Sequence, residues 1–62
     1  MIEQLVTSYL EAIERRHGIQ ARENTRLEYR GGTCFFLKRH DAYYGQLVDI
    51  ASLKMMTRRM HA

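Results

Sequence analysis

Cys34, His17, His40 and His61 are the side chains of this 62-residue chain best suited to hold a soft metal or to act as nucleophile or base. Structural zinc sites draw on close pairs such as CxxC or HxxxH, which bring two ligands to one ion with little ordering of the chain between them. No two of the four residues stand at such a spacing. A thiol nucleophile needs a histidine within hydrogen-bond reach and a third group to orient it. His40-Asp41 supplies the residue types but falls in a turn, beyond the strand that carries Cys34. Neither GxGxxG nor GxxxxGK[ST] occurs, and Gly31-Gly32 is accounted for by a hairpin. A domain this small also has little room for a ligand pocket of the usual size. The expectation is therefore a protein that is not an enzyme, with no cofactor, no metal and no small-molecule substrate.

The remaining chemistry is recognition. Aromatics with arginine are the usual anchors of protein interfaces, and Phe35, Leu37, Tyr43 and Tyr44, with Arg26 and Arg30 at the rim, form the candidate contact surface. The alternative is a nucleic-acid surface in which Arg22, Arg26, Arg30, Lys38 and Arg39 hold phosphates beside an aromatic that stacks. Glu23, Glu28 and Asp41 are interleaved with those bases and would repel a phosphate backbone. That ranks the protein partner first.

The elements that must position these residues follow from periodicity. Ile2, Leu5, Val6, Tyr9, Leu10 and Ile13 recur at the spacing of one helical face. Glu3 suits the positive end of that helix, Arg15, Arg16 and His17 suit its negative end, and Gly18 stops it. Ile19 is expected to pack back on Ile13, and residues 20–25 read as a polar connection. Gly31-Gly32 between two alternating runs predicts an antiparallel hairpin. With those glycines as a two-residue turn, Tyr29 faces Cys34 and Leu27 faces Phe36. Phe35 and Leu37 then share the opposite face with Arg26, Glu28 and Arg30. On this register Phe35 belongs to a contact surface, while Leu5 and Leu10 belong to the core.

Residues 42–48 suit a third strand with Gly45 as a bulge, a helix being the alternative. Asp49 is a good N-cap, and Val48 with Leu53 has the spacing of a hydrophobic staple. The last helix then runs from about Ile50, burying Ile50, Leu53, Met56 and Met60 along one arc and leaving Met55 off it. The fold class is α+β: an N-terminal amphipathic helix, an antiparallel hairpin or three-stranded meander, and a C-terminal helix. This order resembles that of double-stranded-RNA-binding domains. Such domains carry a lysine cluster at the start of the last helix, where this chain has Asp49, Ile50, Ala51 and Ser52 with Lys54 alone nearby. Element order without the binding motif is an analogy of fold, and no family is assigned on it.

Size and charge complete the expectation. One small domain, residues 1–62, buries only about 60% of its unfolded surface. With one cysteine and no proline to compensate, self-association as a homodimer is expected. No secretory leader opens the chain and no run approaches the ~20 apolar residues of a membrane span, which suits the cytoplasm. The net charge of +3 is unevenly spread, with three acids and no base up to Glu14, then ten bases against four acids.

Overall fold

A computed structural model describes residues 1–61. Its elements are α1 (Ile2–His17), α2 (Ile19–Glu23), β1 (Arg26–Gly31), β2 (Cys34–Lys38), β3 (Gln46–Asp49) and α3 (Ile50–His61). The strands form one antiparallel sheet in the order β1-β2-β3. This is the α+β arrangement the periodicity predicts, with the meander realised.

The α1 stripe buries Tyr9, Ala12 and Ile13 completely, and Ile2, Leu5, Val6 and Leu10 pack on the core from partly exposed positions. Gly18, at a φ of 99° that a side chain would resist, ends the helix, its N–H donating to the Glu14 carbonyl at 2.8 Å. The chain then turns into α2 in place of an irregular connection. Ala21 is the buried residue of that short helix, whereas Ile19 is exposed and does not return to Ile13. Buried Thr25 ties two segments together: its Oγ1 donates to the Ala21 carbonyl and accepts from the His40 N–H.

The hairpin register differs from the two-residue reading by one position. Arg30 is an extra residue on β1, so Gly31 pairs with Cys34, Tyr29 with Phe35, Leu27 with Leu37 and Arg26 with Lys38. Gly31 and Gly32 adopt φ values of 101° and 58°, open to glycine at little cost. The turn itself is Gly32-Thr33, pinned where the Tyr29 hydroxyl donates to the Gly32 carbonyl. Because alternate side chains point to opposite faces, this single shift turns β2 over relative to the expected pairing. Leu27, Tyr29, Phe35, Leu37 and Val48 now share the inner face, and Arg26, Glu28, Phe36, Lys38 and Leu47 the outer.

Helices α1 and α3 cover the inner face, closing a core of Tyr9, Ile13, Ala21, Phe35, Leu37 and Leu53. The two helices run parallel. Ile2 and Leu5 share a groove with Ile50 and Lys54, while further along Tyr9 lies beside Met56 and Met60. The shortest dimension, 17 Å, is that of one helix layer on one sheet. Nothing among the described helices is long and apolar enough to cross a membrane.

Candidate functional site

Among the described residues the outer face of the sheet carries no helix, and Phe36 and Leu47 lie on it. At its centre Phe36 pairs with Glu28 on β1 and with Leu47 on β3. The Arg30 guanidinium stands 5.1 Å from the centre of the Phe36 ring, near enough for a cation–π attraction. Gly45 lies directly against the same ring, where a Cβ would collide with it. This residue is glycine for closeness of approach, not for a special backbone angle. The segment leading to it is held where Lys38 Nζ donates to the Ala42 carbonyl at 2.9 Å. Residues 42–45 are irregular, so the third strand is shorter than expected and the two tyrosines stand on a loop. Tyr43 and Tyr44 are 94% and 86% exposed, and Leu47 is 68% exposed.

Of the predicted contact residues, Phe35 and Leu37 are therefore misplaced. Both are wholly buried under the helices, because the Arg30 bulge turns them inward. Phe35 meets the Tyr29 ring at 5.3 Å inside the sheet's covered side. Leu5 and Leu10 are only half-buried at the core's margin, so the expected division between core and surface is reversed for Phe35. Tyr43, Tyr44, Arg26 and Arg30 do remain exposed. Phe36 and Leu47 are the residues the pattern reading missed. A signal for them existed: Arg26, Glu28 and Arg30 on β1 and Lys38 on β2 mark the wet side of each strand, and Phe36 shares its side with Lys38.

The predicted phosphate set does not converge. Arg22 pairs with Glu14 at 2.7 Å beside α2. Arg26 and Arg30 share one carboxylate, Glu28, at 3.1 and 3.0 Å. Arg39 faces Asp41 at 3.5 Å, an ion pair too long to count as a good hydrogen bond, and lies by Tyr9, Met56 and Arg59 on the helical side. Among the described ion pairs none involves Arg15, Arg16, Lys54, Arg58 or Arg59. Four of these, the arginines, stand in the last turns of α1 and α3. Each pair lies at the negative dipole end of its own helix, where Arg15 and Arg16 with His17, and Arg58 and Arg59 with His61, compensate it.

Two further contacts bear on chemistry. His17 and His40 rings lie 4.9 Å apart at 47°. Among the described residues, no cluster of three His, Cys, Asp or Glu has the arrangement of a metal site. Cys34 opens β2 and His40 lies beyond its far end, so the strand's own length of roughly 13 Å at 3.3 Å per residue stands between them. That is far outside hydrogen-bond reach.

Comparison of the chain with family models, with curated proteins and with solved structures returns no match. The functional reading rests on the residues and their arrangement.

Proposed function

We propose that this chain is a non-enzymatic interaction module that binds a protein, either another macromolecule or a second copy of itself, through the open face of its sheet. Phe36, Leu47, Tyr43 and Tyr44 are the anchors, and Arg26 and Arg30 the rim. The observation that carries the reading is that Phe36 and Leu47 pair across the one face without a helix over it among the described residues, and that the loop leading into the same strand exposes Tyr43 and Tyr44. Aromatic anchors ringed by arginine suit a protein surface, which can bury them. The rim arginines are half neutralised by Glu28, so they offer directional hydrogen bonds and little net field. A cytoplasmic setting, where Cys34 stays reduced, fits a half-exposed thiol.

A second reading has one observation in its favour. Arg15 and Arg16 in the last turn of α1, and Arg58 and Arg59 in the last turn of α3, take part in none of the described ion pairs, which leaves them freer to hold phosphate than the hairpin arginines. Helix-dipole compensation already accounts for them, so it ranks second.

The test is capture from the native cell with nuclease treatment, using the natural chain, Phe36→Ser and a combined Arg15, Arg16, Arg58, Arg59→Gln variant. A partner that survives nuclease and is lost with Phe36→Ser supports the protein reading. A partner that disappears with nuclease, and with the arginine variant, would replace it with the second.

A further inference from the structure

We propose that β3 is a pairing edge for a second copy of this chain, in a two-fold antiparallel register centred on Leu47. The proposal deepens the interaction reading above and rests on it.

The two edges of the sheet are protected unequally. β1 carries Arg26, Glu28 and Arg30 along its outer face and is kinked by the Arg30 bulge. Charges and bulges are what keep an edge strand from pairing with another sheet. β3 has neither: Gln46, Leu47 and Val48 are uncharged, no bulge interrupts its pairing with β2, and no further strand lies beyond it. Its one charge, Asp49, is engaged by the Ser52 N–H at 2.7 Å.

A two-fold pairing must also be self-complementary. For helices of both copies to lie on the same side of a joined sheet, residues of matching face must meet. Leu47 then faces the second copy's Leu47, and Gln46 faces its Val48. The two Asp49 carboxylates fall four strand positions apart, roughly 14 Å at ~3.4 Å per residue, beyond the ~8 Å screening length of physiological salt. Tyr44 and Tyr43 stand three and four residues before Leu47, while Ile50 and Ala51 stand three and four after it. Ile50 and Ala51, with Thr33, Asp49 and Lys54, line a surface hollow of about 400 Å³ at the start of α3. The register therefore carries each copy's exposed tyrosines toward the other's hollow. In residue count, knob and hollow stand at matching offsets on either side of the axis.

The area is of the right order. Buried aromatics remove about 150–250 Å² each, so two nearly bare tyrosines and Leu47 supply roughly half of the ~800 Å² per copy that a standard interface needs. The chain exposes 4571 Å² in all, against about 4,200 Å² expected for a monomer of 7.4 kDa from surface scaling.

Sedimentation equilibrium of the full chain over micromolar concentrations tests the pairing, with circular dichroism confirming that each variant folds. The natural chain is expected at twice 7.4 kDa, and Leu47→Lys, a change at an exposed site, at single mass with its fold intact. In a Cys34→Ser background, Leu47→Cys is expected to form a disulfide between copies on mild oxidation. Gln46→Cys, which faces Val48 and not itself, is expected to form little. A natural chain that stays at single mass to 100 μM overturns the proposal. So does a dimer that ignores Leu47→Lys and cross-links through Arg26→Cys, or a monomer whose β3 edge takes an extended peptide from another protein. A monomer that still captures a protein through Phe36 defeats this inference alone, whereas a monomer that captures none defeats the interaction reading with it.

Discussion

Phe35 and Phe36 are adjacent and chemically identical, yet they do opposite work. Phe35 is sealed between sheet and helices, so Phe35→Ala should cost about 3–5 kcal/mol, a large share of a small domain's stability. Phe36→Ala should cost less in urea unfolding, because its ring is partly exposed where Phe35 is sealed, while weakening partner capture. Equal losses would place Phe36 in the core. Tyr9 offers a second residue-scale check. Burial raises its hydroxyl above the ordinary value of 10.0, with the Arg39 charge acting in the other direction. The folded state thus favours the neutral phenol. Its contribution is complete below pH 10 and is lost as pH climbs through the higher folded-state value. Alkaline titration of stability should show this loss, and Tyr9→Phe should reduce it.

At the scale of the element, the junction of β3 and α3 is instructive because no residue separates strand from helix. Asp49 closes the strand and caps the helix at once, its carboxylate accepting the Ser52 N–H. Val48 and Leu53 both reach the core, as the staple spacing requires. The hydrogen bonds from Ser52 hold the Asp49 carboxyl below the usual carboxylate range. A depressed folded-state value means stabilisation that is present above the unfolded value and lost as pH falls through the folded one. Asp49→Asn should keep the cap and flatten the acid limb of the stability profile, whereas Asp49→Ala should lose both. An unchanged acid limb in the asparagine variant would show that other carboxylates dominate it.

For the molecule as a whole, basic charge accumulates at the C-terminal ends of its two long helices. Each helix C-terminus leaves bare carbonyls, and Arg15 and Arg16 at the end of α1 and Arg58 and Arg59 at the end of α3 stand beside them, outside the described ion pairs. Replacing Arg16 or Arg59 with Glu should destabilise the fold by about 0.3–1 kcal/mol at low ionic strength, with the loss shrinking as salt screens it. A salt-independent loss would point to packing instead. Leu53, buried where α3 crosses the sheet, should show the contrasting behaviour: Leu53→Ala costing about 2–5 kcal/mol at any salt concentration.

Local chemistry made much of this fold legible. The α1 stripe, the Gly18 stop, the hairpin, the Asp49 cap and the α3 arc all depend on neighbours within about one turn or one strand, where spacing and residue type carry the information. The Ile19–Glu23 helix and the exposure of Ile19 were not legible, since a five-residue segment has too little pattern to outweigh its context. The functional face turned on something smaller still. Whether Phe35 or Phe36 meets water depends on one extra residue in β1, and pleat geometry converts that single position into a reversal of every side chain on β2 relative to β1. The sequence by itself determined the hairpin strands and left residues 42–48 open between strand and helix. Only the tertiary structure decided which face of the sheet is buried, because the helices bury the combination of Leu27, Tyr29, Phe35, Leu37 and Val48 and leave the charged positions, with Phe36 and Leu47 among them, on the outside.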